Sequence, residues 1–305
     1  MAKPSQDRAE VKIQRSFKGP DDHAGQLYLV PTPIGNLDDM TFRAVATLKS
    51  VDFIAAEDTR HTQKLLNHFG IDTKKISFHE HNTQSRLAEL VDILQSGQSI
   101  AQVSDAGMPS ISDPGMELVQ AALDQGISVI PLPGANAGLT ALIASGIPPQ
   151  PFYFHGFLPR SKSQMKDCLQ DLVNKRETLV FYESPHRLKK CLKAMNQVFG
   201  PDRYLVIGRE LTKEYEEFIR GELKEILNYL ETVPLRGEFV IIVAGNDHPQ
   251  SQDQQDWQAY SLEDHVAKLM ADQDLSSKAA IKEVAKIRQI SKRQVYAAYH
   301  DLDWP

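Results

Sequence analysis

The 305-residue chain is 41% apolar, enough for two ordinary domains with cores of their own, so disulfide or metal staples are not needed to hold it together. Its two cysteines, Cys168 and Cys191, fall in helical patterns without metal-ligand spacing, which argues against a structural metal and for a reducing compartment. The formal charge of -6 excludes a surface that is basic throughout, so any contact with RNA is local.

Residues 1–25 carry few apolar positions and read as a flexible leader. They contain no apolar signal core, and no run of about eighteen apolar residues occurs anywhere, so a cytoplasmic protein without a membrane span is expected. From Gln26 onward, short apolar runs alternate with helical periodicity. QLYLVP is followed by a helix around Phe42 to Leu48, and VDFIAAE by one carrying Leu65, Leu66 and Phe69. KKISFHE precedes a helix with Leu87, Leu90, Val91 and Leu94; SIAQVSD precedes one with Leu118, Val119 and Ala122; SVIPLP closes the series. Five strands with crossover helices predict a mainly parallel sheet covered on both faces.

A small-residue helix over 135–145 and the breaker run GIPPQP at 146–151 mark a boundary between an N-terminal α/β domain (26–145) and a second one (146–246). In the second, FYFHGF, ETLVFYES, DRYLVIGREL, EEFIRG and GEFVIIVAG read as strands, with helices around 164–174, 186–198 and 223–231. A hairpin-length connection over 214–221 predicts a mixed sheet. Asp113 before Pro114, and Ser184 before Pro185, each match an N-cap followed by proline at the first helical position.

Residues 247–260 are polar and read as a linker. Beyond it, 261–305 predicts a helix-turn-helix-like extension: Leu262 to Met270, Ser277 to Ile287, and Lys292 to about Leu302. Between Lys278 and Arg293 there are six Lys/Arg against one Glu, the local positive charge that the whole chain lacks.

The usual nucleotide signatures are missing: no GxGxxG follows the first strand, and there is neither a GxxxxGK[ST] nor a cluster of metal ligands. Instead, strands end in loops of proline, glycine and small residues with one acid: PTPIGNLDD, AEDTRH, VSDAGMPSISDPG and PLPGANAG. Loops at the carboxyl ends of strands are where open α/β sheets bind ligands. Glycine permits close backbone approach there and proline stiffens the loop, although each loop taken singly is also an ordinary tight turn.

Taken in order, LVPTPIGNLDD, AAEDTRHTQKLL, VSDAGMPSISDPG, PLPGANAGLTALIASGIP, FHGFLPR, FYESPHRL and GEFVIIVAG resemble the tetrapyrrole methylase superfamily. PTPIGN, AEDTRHT and SDAGMPSISDPG look like the ribosomal RNA small subunit methyltransferase I family within it, the 16S rRNA (cytidine-2'-O-)-methyltransferases of bacteria. The resemblance spans 26–246, and the last 45 or so residues also look like that family's extension. It implies S-adenosylmethionine (SAM) as methyl donor with no metal, a pocket between two α/β domains, a homodimer, and a cytidine ribose of the small-subunit decoding centre as acceptor. The wider superfamily commonly has a GxGPG-like first loop; PTPIGN departs from it and argues against a porphyrinoid substrate.

Carried over residue by residue, the resemblance assigns SAM to Asp105, Ala106, Gly107, Ile111, Ser112 and Asp113, to Pro133, Gly134, Ala135, Asn136 and Ala137, and to Phe157, Tyr182 and Ala244. Asp113 is alternatively a helix cap, and Phe157, Tyr182 and Ala244 alternatively core. Pro33, Ile34, Gly35 and Asn36 fall on the substrate side. A ribose hydroxyl is a poor nucleophile until deprotonated, so a general base is sought among Glu57, Asp58, His79 and His81. Asp58 also fits an N-cap, and His79 and Glu80 on one strand would point to opposite faces. Arg60 and Arg187 are the phosphate candidates, while Glu183, His186, Arg209, Glu210 and Lys213 either clamp RNA or brace the domains. Two other readings stand beside this one: methylation of a porphyrin-like ring, and a nucleic-acid-binding regulator acting through the C-terminal helices.

Overall fold

The computed structural model describes residues 13–14, 24–247, 260–273, 275–288 and 290–300. Most of the expected leader and linker lie outside the described residues.

Five strands, β1 (Leu27–Leu29), β2 (Phe53–Ala56), β3 (Lys74–Ser77), β4 (Ile100–Val103) and β5 (Val129–Pro131), form one parallel sheet in the order β3-β2-β4-β1-β5. Both faces are covered, as unbroken apolar strands require. Alternation divides the core: Ile54, Ala56, Ala101 and Val103 point to one side with Ala44, Leu48 and Leu66. Ala55 and Ile100 point to the other with Leu90, Leu94 and Leu118. The connections are helices α1 (Phe42–Ser50), α2 (Thr59–Phe69), α3 (Thr83–Gln95) and α4 (Met116–Asp124). Thr41 caps α1, its side chain accepting from the Ala44 N–H, and Asp58 caps α2, accepting from the N–H groups of Arg60 and His61.

Two local expectations change. Helix α4 begins at Met116 with Gly115 as its N-cap residue, so Asp113 is not a cap. The chain enters that helix through a φ of +137° at Gly115, where a Cβ would lie 1.5 Å from the Gln102 Nε2. Strand β3 ends at Ser77, so His79 and Glu80 sit in the turn beyond it and strand alternation does not govern them.

The second sheet has the order β6-β7-β10-β8-β9: β6 (Phe152–Phe157), β7 (Thr178–Glu183), β8 (Tyr204–Arg209), β9 (Glu217–Glu222) and β10 (Phe239–Val243). β6 and β7 are parallel, whereas β10 is antiparallel to both β7 and β8, and β8 and β9 form the expected hairpin. One face packs on α6 (Lys162–Leu172), α7 (Pro185–Phe199) and α8 (Leu223–Leu230) through residues such as Met165, Leu188, Met195 and Ile226. The other is covered by α5 (Ala137–Ser145), whose Ala141 and Leu142 pack with Val180, Val206 and Ile242. Helix α5 follows the last strand of the first sheet yet belongs by packing to the second.

Three helices, α9 (Leu262–Gln273), α10 (Ser277–Ile287) and α11 (Lys292–Tyr299), form a separate small core of Val266, Ile281, Val284 and Val295. No helix among the described residues is long and apolar enough to cross a membrane.

Candidate active site

The carboxyl ends of β1, β2 and β4 and the N-terminus of α5 face the second sheet across a cleft of about 400 Å³. That size is within the range of small-molecule sites.

The first-domain wall is a frame of backbone and three acids. Thr32 and Gly107 exchange backbone hydrogen bonds, Thr32 N–H to Gly107 O at 2.9 Å and Gly107 N–H to Thr32 O at 3.0 Å. The Thr32 hydroxyl donates to the Ser104 carbonyl at 3.1 Å, so the first loop and the SDAG loop are stitched together. Ser110 and Ser112 hold positive φ of 68° and 63°, a conformation uncommon for side-chain-bearing residues and retained where the surroundings enforce it. Gly156, in the bulged β6, approaches this loop so closely that a Cβ there would be 3.1 Å from the Ser112 Oγ.

Glu57, Asp105 and Asp113 converge in the cleft. Burial, then the carboxylates of Glu57 and Asp105, push Asp113 up to about 7. Glu57 is raised too, by burial and then by Asp105, with His79 partly offsetting the shift. Its Oε2 is buried without a hydrogen-bond partner among the described residues, as is the Nδ1 of His79. Asp105 is anchored, its Oδ1 accepting from the Asp58 N–H at 3.1 Å. Among the described residues, no three His, Cys, Asp or Glu side chains are arranged to hold a metal ion.

The opposite wall is aromatic and apolar. Phe157, 52% exposed, packs against Tyr182 with ring centroids 5.7 Å apart, and Tyr182 packs on Phe154 at 5.1 Å. The Tyr182 hydroxyl accepts from the Gly138 N–H at 3.0 Å, tying this wall to the first turn of α5. Leu211, Phe239 and Val240 complete it, with Glu238 and the buried Glu183 at its edges.

The cleft brings together Ile34, Glu57, Asp105, Ala106, Gly107, Ile111, Ser112, Asp113, Asn136, Ala137, Phe157 and Tyr182. Other candidates lie elsewhere. Pro133, Gly134 and Ala135 are outside the lining; Gly134 sits against Pro31, where a Cβ would come within 2.6 Å of its ring. Pro33, Gly35 and Asn36 form the loop outside the cleft, and Asn36 caps a short 3-10 turn by accepting from Asp38 N–H. Asp58 is a helix cap whose carboxyl is lowered chiefly by its bond to Arg60, and the Arg60 side chain, 90% exposed, rests on it at 3.2 Å. His81 is exposed outside the cleft.

Two positions need correcting. Ala244 lies at the far end of the second sheet, because antiparallel β10 presents its start, not its end, to the cleft: Phe239 pairs with Glu183 and Val243 with Leu179. The same reversal explains why Glu238, Phe239 and Val240 were missed. Arg187 is not free for a phosphate: its NH2 donates to the carbonyls of Leu158 at 2.7 Å and Pro159 at 3.2 Å and lies 3.4 Å from Glu183 Oε2. It braces the second domain, as do Arg209 on Arg236 O and Glu217, and Lys213 on Glu210 and Glu238.

A sequence profile of the Tetrapyrrole (Corrin/Porphyrin) Methylases matches residues 26–227. Ribosomal RNA small subunit methyltransferase I of Streptococcus pyogenes serotype M1 is 53% identical over 96% of this chain and 100% of its own length. The chain belongs to the ribosomal RNA small subunit methyltransferase I family of tetrapyrrole methylases. The Bacillus subtilis (strain 168) member of the family is 52% identical over 95% of this chain and 99% of its own. Among solved tetrapyrrole methylases, uroporphyrin-III C-methyltransferase from Thermus thermophilus, complexed with S-adenosyl homocysteine, shares the fold with a TM-score of 0.52. It is 17% identical and covers 72% of this chain and 97% of its own. The family match covers the first sheet and β6 to β9 of the second, and the relatives extend the likeness to about 95% of the chain.

Proposed function

We propose that the chain methylates the 2'-oxygen of a cytidine ribose in 16S rRNA, within the small ribosomal subunit, using SAM. The observation that carries this reading is the cleft itself, with three converging carboxyls on one wall and an aromatic and apolar surface on the other. Its fit to the donor is chemical: the carboxyl cluster favours a cation, the rings of Phe157 and Tyr182 suit a planar base, and the Asp105–Gly107 and Asn136–Ala137 loops present backbone groups to polar edges. SAM supplies a methyl group carried on a cationic sulfur.

The chain's own residues position the acceptor and handle one proton. Glu57 takes the proton from the ribose 2'-hydroxyl as the oxygen gains the methyl group, then returns it to solvent. An elevated carboxyl with an unpartnered buried oxygen is suited to that step. Alignment of oxygen, methyl and leaving sulfur requires no metal. The reading also includes a cytoplasmic homodimer, for which Phe42, almost fully exposed, and Leu139 and Ile143, one turn apart on α5, offer apolar surface. A division of the chain at 146–151 belongs to the same proposal, with α5 packing across it onto the second sheet.

The test is labelled SAM incubated with small ribosomal subunits from cells lacking the gene, and separately with tetrapyrrole precursors. Label in 16S RNA, mapped to a cytidine 2'-O-methyl group, is expected. Label confined to the tetrapyrroles would sink the proposal.

A further inference from the structure

The C-terminal helices carry surface charge that their own folding does not use. Lys278, Lys282 and Lys286 recur every four residues along α10 and are all exposed, away from the buried Ile281, Val284 and Ala285. Residues four apart on a helix advance about 6 Å along its axis, so the three lysines form one stripe. Helix α11 opens with exposed Lys292 and Arg293, and Tyr296, 51% exposed, stands one turn further on with its ring 4.3 Å from that of His300. Lys278, Lys282, Lys292 and Arg293 have no carboxylate within ion-pair reach among the described residues, and Lys286 has only Glu283 at 3.5 Å.

Arg288 shows the contrast. This remaining basic residue of the segment turns inward, its Nε donating to His265 Nδ1 at 3.1 Å and its NH2 to the carbonyls of Tyr260 and Ser261. Arg288 serves the fold; the other five face solvent. Lys292 and Arg293 also oppose the dipole of α11, whose first turn disfavours cations, so a polyanion docked there offsets an unfavourable term. Tyr296 is the only large apolar side chain exposed on these described helices, which speaks against insertion into lipid. An aromatic ring among cations suits an unstacked base next to phosphates, and RNA loops present such bases.

We propose that the α10–α11 face is an RNA-docking surface, with Lys278, Lys282, Lys286, Lys292 and Arg293 on phosphates and Tyr296 stacking on an unpaired base. It rests on the reading that the substrate is RNA, and adds a second anchor outside the cleft.

The experiment uses the full chain and a fluorescent RNA stem-loop, with a paired DNA duplex of the same sequence in parallel. The K282E/K292E/R293E variant is expected to bind the stem-loop at least about tenfold more weakly, with a salt slope shallower by about 2, given roughly 0.7–0.9 per lost phosphate contact. Y296A is expected to weaken binding by about fivefold or more at unchanged slope. S-adenosylhomocysteine affinity by calorimetry stays at the wild-type value in both, and K282A/K292A/R293A replaces the glutamate variant if its helicity falls. Methylation of small subunits should show a raised KM at unchanged kcat. Unchanged stem-loop affinity in variants that still bind S-adenosylhomocysteine would overturn the proposal, as would wild-type preference for the DNA duplex. Failure of the methylation reading is distinguishable: no label enters RNA, while the variants still lose stem-loop affinity.

Discussion

The two walls of the cleft are built on different principles. The first-domain wall consists of strand ends and stiff loops, and places Asp105 close enough to raise Glu57, and Glu57 and Asp105 close enough to add to the burial that raises Asp113. The second-domain wall is a packed surface of Phe157, Tyr182, Leu211, Phe239 and Val240, tied to α5 by the Tyr182 hydroxyl accepting from the Gly138 N–H. The converging trio of carboxyls is therefore on one side and the broad apolar contact area on the other.

Substitutions on the two walls should fail in different ways. The largest effect is expected for Glu57→Gln, which keeps shape and removes the proton acceptor: kcat should fall by about 10²- to 10⁴-fold. S-adenosylhomocysteine affinity should move by less than about threefold; an equal loss in both would show that Glu57 binds ligand and is not the base.

Next is the pH response of Asp113. Its carboxyl is raised in the fold from 3.8 to about 7, so its stabilising contribution is complete below pH 3.8 and is lost as the pH rises through about 7. The melting temperature of the ligand-free chain should decline over that interval, and Asp113→Asn should flatten the decline. Since a cation favours ionised carboxyls, the ratio of SAM to S-adenosylhomocysteine affinity should climb through the same interval, and the substitution should flatten that climb as well. A pH-independent ratio in the wild type would contradict the assignment of charge to this wall.

On the aromatic wall, Tyr182→Phe retains the ring contacts with Phe154 and Phe157 and loses the acceptor for Gly138 N–H. Chemical denaturation should register a loss of about 1 kcal/mol, with kcat nearly unchanged. The smallest effect is expected at Ala244: because it lies at the far end of β10, Ala244→Ser should leave S-adenosylhomocysteine affinity within about twofold. A larger change there would require the register of β10 at the cleft to be revised.

Much of the architecture was legible because its signals are local. Apolar runs such as VDFIAAE and SIAQVSD, breaker loops after each strand, and helix-start residues such as Asp58 and Ser184 act over a few neighbours, and the elements they specify are present. The acid-bearing loops were legible for the same reason: parallel strands joined by crossovers end on one edge, so Glu57 and Asp105 had to lie together. Asp113 was misread as a cap because Asp-Pro is locally a good helix start, and the tight fit of Gly115 against Gln102 is a contact between distant segments.

Sequence alone determined the elements, the parallel first sheet and the loops at its edge, since each follows from periodicity and backbone preference over short range. Tertiary structure alone decided the direction of β10, the inward commitment of Arg187 and Arg288, and the burial that raises Asp113. Those depend on which remote carbonyls, rings and charges arrive beside a residue, and desolvation and pairing energies have no counterpart in the order of residues along the chain.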